Sequence, residues 1–402
     1  MPEPTGERPF DDERPYDIVL FGATGFTGAL TAEYLARNAP EECRWALAGR
    51  NPQKLDAARE QLAEIDPRLA DLPVLVADVN DADSLRAVAR AARVVITTVG
   101  PYLEHGEPLV AACAAAGTDY VDLTGEPEFV DRMYVEHHAT ALTSGARIVH
   151  ACGFDSIPHD LGVLYTVKQL PAGVPLKVRG VVRAAGMASG GTFASALGQF
   201  GRPRQVRQAA LDRKQVEPRP EGRKARAVAG RPGKDPDLGY WVLPLPTVDP
   251  FVVKRSAAAR EDYGPEFTYS HYAGFKQLPF AAGAAVLTGG LVASAQLPPL
   301  RRLLQDRLPQ GEGPSKEKRE RSWFTVDVVG EGGGVKVHTR VSGGDPGYEE
   351  TARMLAESAL CLAFDENPVT AGQVTTAQAM GENLLDRLMK SGISFTVVRT
   401  DP

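Results

Sequence analysis

Three glycines spaced three apart, Gly22, Gly25 and Gly28, carry the clearest chemical signal in the sequence. They follow an apolar run, Tyr16 to Phe21 (YDIVLF), and open a helical stretch from Ala29 to Arg37. A glycine-rich strand-to-helix turn suits a diphosphate for three reasons. The first glycine permits the tight turn, the second lets the backbone approach the phosphates, and the third lets helix and strand pack closely. The helix start adds free N–H groups and the positive end of its dipole. The spacing is GxxGxxG rather than GxGxxG, but the physics is shared. Gly22, Thr24, Gly25, Phe26, Thr27 and Gly28 are therefore expected to hold a dinucleotide. Where an NAD site has an acid for the ribose hydroxyl, the sequence reads Gly49-Arg50-Asn51, with no acid before Asp56. A carboxylate repels a 2′-phosphate and a guanidinium pairs with it. Arg50 thus points to NADP(H). Asp78 and Val79 follow a third strand and are expected at the adenine edge, and Thr98 and Gly100 follow a fourth, near the nicotinamide ribose. Tyr102 either works at that ribose or packs under the next helix.

A second group of reactive side chains lies between Tyr120 and Asp160. Asp122, Thr124 and Glu126 follow a fifth strand, and Cys152, Asp155, Ser156 and His159 follow a sixth. His159 is the candidate proton donor beside Tyr102, because imidazole titrates near neutrality. Its alternative is a satisfied buried histidine. Asp155 is read first as a helix N-cap. His137 and His138 are adjacent on one helix and face different ways. No HExxH, GxSxG or phosphate-loop pattern occurs, and Cys43, Cys113, Cys152 and Cys361 form no CxxC. No metal site is expected.

These residues need a frame that brings strand ends to one edge. Short apolar runs alternate with helical stretches through Ala151: Arg44 to Ala48, Val74 to Ala77, Val94 to Val99, Tyr120 to Leu123 and Arg147 to Ala151 are the later strands. That rhythm specifies right-handed βαβ units and a Rossmann-type, doubly wound parallel α/β sheet. The chain is long enough, at 402 residues, for more than one core. A net charge of −6 argues against a nucleic-acid partner. The first 14 residues are polar, lack an apolar signal segment, and read as a disordered tail.

Beyond Asp155 the rhythm changes. Residues 201–234 contain 11 basic and 3 acidic side chains and read as a mobile or irregular arm. Gln277 to Leu300 is 24 residues without a charge, flanked by Lys276 and by Arg301-Arg302. Its Ala, Gly and Pro content weakens it as a membrane span, leaving contact with an anionic membrane surface or a buried helix. Trp323 to Val329 and Val335 to Val341 alternate in polarity across a glycine-rich turn, which predicts a hairpin. The expected organisation is an NADP-binding Rossmann domain at 15–155 and an inserted α+β substrate domain at 156–342. Residues 343–402 are expected to return to the first domain. A cleft between the domains is the expected meeting place of nicotinamide and substrate.

The segments FGATGFTG, ALAGRN, TTVGPY, ACAAAGTDYVDLTGE and ACGFDSIPHDLG, with GYEETARMLAESALCLA near the end, resemble the saccharopine dehydrogenase-like oxidoreductases. The likeness is to their actinobacterial trans-acting enoyl reductase branch. The resemblance implies NADPH-dependent reduction of the C=C bond of a lipid- or polyketide-linked enoyl thioester. The alternatives are an imine or carbonyl reductase on a small amino-acid-like substrate, and a non-catalytic NADP-binding protein of a lipid surface. An acyl-carrier protein or an anionic membrane surface is the matching partner and a homodimer the open assembly state. The expected location is the cytoplasm, extending to the inner membrane face.

Overall fold

The computed structural model describes residues 14–185, 198–297 and 313–402. Most of the N-terminal tail and residues 298–300 of the apolar run lie outside these. The chain divides into two units, Met1–Phe154 with Gly311–Gly313 and Tyr348–Leu388, and Asp155–Gln310 with Pro314–Gly347 and Met389–Pro402.

The first unit starts with β1 (Tyr16–Phe21), α1 (Phe26–Asn38), β2 (Trp45–Gly49), α2 (Pro52–Ile65), β3 (Val74–Val76), α3 (Ala82–Ala91) and β4 (Ala92–Thr97). It continues through α4 (Tyr102–His105), α5 (Glu107–Ala116), β5 (Asp119–Val121), α6 (Pro127–Ser144) and β6 (Arg147–Val149). The caps explain where the helices begin. Asn51 accepts from Lys54 N at the start of α2, with Pro52 as first residue, and Asp81 accepts from Asp83 N and Ser84 N at α3. Gly117 and Gly145 end α5 and α6 in the left-handed conformation. β1 and β4 bury Ile18, Val19, Leu20, Val94, Val95 and Ile96 completely, the signature of a strand covered on both faces.

The second unit contains α7 (Ile157–Val167), β7 (Leu176–Ala185), α8 (Pro203–Val216), β8 (Lys224–Ala227), β9 (Gly233–Lys234), β10 (Trp241–Pro244), α9 (Asp249–Ala259) and β11 (Glu266–Phe275). Then come α10 (Leu278–Ala295), α11 (Lys316–Glu320), β12 (Trp323–Gly332) and β13 (Val335–Gly343). The hairpin β12–β13 pairs Phe324 with Gly343 through Gly332 with Val335. α7 lies on this sheet closely enough that a Cβ on Gly162 would stand 2.9 Å from Val341 Cγ2. The arm at 201–234 differs from its expectation. It holds helix α8 and strands β8 and β9, because pairing to β11 and β10 supplies the backbone partners that composition does not advertise.

The chain then runs through α12 (Glu349–Phe364), β14 (Gly372–Val374), α13 (Thr376–Ala379) and α14 (Gly381–Lys390), and ends in β15 (Ser394–Asp401). α12 is buried along nearly its whole length and packs against α1, β1 and β4. β14 extends the first sheet beside β6, in the order β14-β6-β5-β4-β1-β2-β3. The described pairs of this sheet are all parallel. The second sheet is mixed and runs β15-β13-β12-β7-β11-β10-β9, with β8 on β11. The expectation that all of 343–402 rejoins the first domain is corrected here. β15 pairs antiparallel with β13, so Met389–Pro402 belongs to the second unit. The physical reason is edge pairing: β13 offers an unpaired edge, and alternation in Ser394–Asp401 cannot say which sheet it completes.

Candidate functional site

In the first sheet the chain order reverses at β1. It steps to β2 and β3 on one side and to β4, β5 and β6 on the other. Ligands of open α/β sheets bind at such a switch point, beyond the carboxyl ends of the strands. The loops after β1 and β4 meet there. Thr98 N donates to Phe21 O at 3.1 Å and Thr98 Oγ1 donates to Gly22 O at 3.1 Å.

The glycines of this loop do different jobs. Gly22 has φ +93°, a conformation other residues rarely adopt, and a Cβ there would meet Thr98 Oγ1 and Val99 Cγ2 at 2.8 Å. Gly28 is buried, and its Cβ would stand 2.1 Å from Gly22 O. Gly25 is exposed and extended, and its Cβ would meet only Gly22 O at 3.5 Å. The fold therefore demands Gly22 and Gly28 and makes no such demand at Gly25, whose open side faces solvent beside exposed Thr24. α1 has no acidic residue in its first turn and no side-chain cap, whereas Asn51 and Asp81 cap α2 and α3. Its positive end is left for an anion. The half-buried Phe26 ring packs edge-on against Tyr348 at 4.9 Å, which anchors the first residue of α1. These features fit the diphosphate of a dinucleotide.

Arg50 is exposed directly after β2, and among the described residues it has no ion-pair partner. Asp78 accepts from Asn80 N at 2.9 Å and Asn80 Nδ2 at 3.0 Å, which shapes the turn after β3. Val79 packs partly buried against the core, and Gly100 is exposed.

Tyr102 is buried, with its hydroxyl donating to Thr97 O and accepting from Leu123 N, both at 3.1 Å. Burial raises its phenol well above the ordinary value, and Asp122 adds to the effect. The hydroxyl thus joins the end of β4 to the loop after β5. Glu126 completes the brace. Its carboxylate accepts from Tyr102 N at 3.2 Å and Leu103 N at 3.0 Å, capping α4 from another loop. Asp122 is fully buried. Its Oδ1 accepts from Thr124 N and Ala151 N, and its Oδ2 meets Tyr120 Oη at 3.0 Å and His150 Nδ1 at 2.7 Å. The acids after β5 are thus internal struts. No linear spacing signals that Glu126 caps a helix 24 residues earlier.

His159 lies in the second unit, on α7, 2% exposed. Its Nδ1 is 2.8 Å from Asp249 Oδ1, and His271 Nε2 is 3.7 Å from Asp249 Oδ2. Tyr269 Oη and His271 Nδ1 are 3.0 Å apart. Burial pushes His271 down to about 3 despite Asp249. Burial works to raise Asp249, but His159, His271 and Thr247 together hold the carboxyl below its usual range. His159, Asp249 and His271 can bring three donor atoms within 4.8 Å of one another, a grouping that residues so distant in sequence could not announce. Asp155 is half-buried; burial, then Asp249, raise its carboxyl to about 7. The N-cap position of α7 belongs to Ser156, without a side-chain cap bond. His137 pairs with Glu107 at 3.0 Å, whereas His138 Nδ1 accepts from Gln373 N at 2.9 Å.

Residues 18–149 match the saccharopine dehydrogenase NADP binding domain. The chain is 39% identical to a putative trans-acting enoyl reductase of Mycobacterium tuberculosis, covering 96% of this chain and 98% of that protein. It is 37% identical to a trans-acting enoyl reductase of Mycobacterium bovis, covering 96% and 99%. Among solved structures it is similar to saccharopine dehydrogenase (L-Glu forming) from Saccharomyces cerevisiae. That match has TM-score 0.57 and 13% identity, over 96% of this chain and 100% of the other.

Proposed function

Since this chain belongs to the saccharopine dehydrogenase-like family that includes the trans-acting enoyl reductases, we propose that it reduces the C=C bond of a lipid- or polyketide-linked enoyl thioester. It is an NADP-dependent oxidoreductase. The observation that carries the reading is the exposed, uncapped start of α1 at the switch point. There Gly25 leaves room for a diphosphate to approach the backbone, while Gly22 and Gly28 build the loop. In this reading the amides of residues 24–28 hold the diphosphate. Arg50 pairs with the 2′-phosphate, and Asp78 and Val79 border the adenine. Thr98 and Gly100 line the path toward the nicotinamide. When bound, NADPH would supply the hydride for the β-carbon of the thioester, and the α-carbon would take a proton from solvent. Tyr102 is a positioning residue, because its hydroxyl ties the end of β4 to the loop after β5. His159 serves the interior of its own unit through Asp249.

The substrate class suggests a cytoplasmic protein working at the inner membrane face, with a lipid or an acyl-carrier protein presenting the enoyl group. The test is NADPH oxidation with enoyl thioesters of increasing chain length, read by mass spectrometry. A saturated product two mass units heavier supports the proposal. Turnover confined to imines or carbonyls of amino-acid-like compounds overturns it.

A further inference from the structure

Helix α10 is the least covered long element among those described. Of its 18 residues only Ala281 and Ala295 are buried, one near each end. None of the 13 residues between them, 282–294, is buried, and six in succession, 285–290, are exposed. Val286 is 76% exposed, Leu287 66% and Phe280 67%. The helix carries no charged residue, and its mean hydropathy of 1.6 is in the range of membrane-crossing helices.

Six successive exposed residues cover more than one and a half helical turns, so the middle of α10 is uncovered on every side, while the buried or half-buried Ala281, Ala284, Leu291, Val292 and Ala295 gather on the one face that rests on β10 and β11. A helix made for a protein groove shows one apolar stripe and one polar face. A helix with no charge on any side, covered by its own unit along one face only, needs an apolar medium for the rest, and a lipid acyl layer provides that. Crossing the bilayer is a poor fit to the way its ends are held. Only Lys276 and Gln277 separate its start from β11, and at its far end Gln296 donates to Phe200 O in the same unit. A rod of about 27 Å, tied to one folded unit at both ends, is geometrically suited to lying in one leaflet. Phe200 also leads into α8, where Arg204, Arg207 and Lys214 are exposed at positions i, i+3 and i+10 along one face, with exposed Leu211 between them. Exposed Lys276 precedes α10. Cations beside an inserted apolar element are the two signals that stable attachment to an anionic leaflet requires.

We infer that α10 embeds in one leaflet of an anionic phospholipid membrane, with the basic face of α8 on the headgroups. This deepens the membrane-face reading above and rests on it for location only, because attachment can be read without turnover. The experiment is flotation of the full chain with phosphatidylcholine vesicles and with vesicles containing 30% phosphatidylglycerol. Wild type, Val286→Glu/Leu287→Glu and Arg204→Glu/Arg207→Glu are compared, with circular dichroism and NADPH affinity as folding controls. The wild type floats with anionic vesicles and at least tenfold less with neutral ones. Either double variant loses at least tenfold of the bound fraction while binding NADPH as before. Three results overturn the inference: wild type left in the soluble fraction, Val286→Glu/Leu287→Glu floating undiminished, or a wild-type dimer in lipid-free buffer that this variant disperses. The last would assign α10 to a second copy of the chain.

Discussion

A methyl group at residue 25 and one at residue 28 should fail in different ways. In Gly28→Ala the new carbon starts 2.1 Å from Gly22 O and 2.9 Å from both Gly22 C and Thr98 Oγ1. Ordinary contact needs roughly 3.5 Å, so α1 must back away from the turn by about 1 Å or more. Overpacking of this kind costs about 1–3 kcal/mol, and the displaced helix start no longer aims its amides correctly. Gly28→Ala should therefore lose both stability and cofactor. In Gly25→Ala the carbon meets only Gly22 O, at 3.5 Å, and the backbone at φ −81° and ψ 163° suits any residue. The folding penalty stays under about 1 kcal/mol, the cost of a poorer N-cap. If the diphosphate passes over this α-carbon, the methyl pushes it off at least one amide. A charge-assisted hydrogen bond is worth about 1.5–3 kcal/mol, so NADPH affinity should fall about 10- to 150-fold. Calorimetric titration with NADPH and urea unfolding of the three proteins separate the cases. Gly25→Ala that binds NADPH within threefold of wild type would refute the phosphate path, and Gly28→Ala of undiminished stability would refute the steric argument.

Arg50→Ala should weaken NADPH at least tenfold and leave NADH unchanged, since one charge-assisted pair is worth about 1.5–3 kcal/mol; equal losses for both cofactors would remove Arg50 from the 2′-phosphate. Tyr102→Phe should cost about 1–3 kcal/mol of stability by stranding Leu123 N, and leave the pH profile of turnover unmoved; a displaced profile would make the phenol a proton donor instead. Asp17, 4% exposed at the start of β1, is raised by burial but lowered further by Arg44 Nη2 at 3.0 Å and Arg44 N at 2.9 Å, so its net position is below 3.8. A depressed carboxyl stabilises the fold above its unfolded value and loses that contribution as pH falls through the folded one. Asp17→Asn should therefore cost about 1–2 kcal/mol at pH 7, and the gap to wild type should close below about pH 4 in urea unfolding series; a gap constant with pH would show that the ion pair with Arg44 contributes nothing.

The candidate cofactor site was legible because its parts are local. Gly22 to Gly28 sit within one strand-turn-helix, and Arg50 directly follows the neighbouring strand, so a short window of residues determines both. The bracing around it was not legible. Glu126 caps α4 across 24 positions, and Asp122 joins β5 to His150 and Ala151 across 28 and 29. In the sequence both belong to the group of reactive side chains between Tyr120 and Asp160, because an acid at the carboxyl end of a strand looks the same whether it faces a ligand or a neighbouring loop. The exposure of α10 was equally out of reach, since an uncharged run of Ala, Gly, Val and Leu is common to core helices and to lipid-facing ones.

Period and punctuation in the chain determined the alternating βαβ frame, the glycine turn and the alternating hairpin at 323–343, because each depends on steric and apolar preferences between near neighbours. Tertiary pairing alone decided that the short Gly372–Val374 becomes the edge strand beside β6, that Ser394–Asp401 completes the other sheet, and that His159 meets Asp249 and His271. An open strand edge offers the same row of N–H and C=O groups to any extended segment, so which segment docks depends on the contacts of the whole fold.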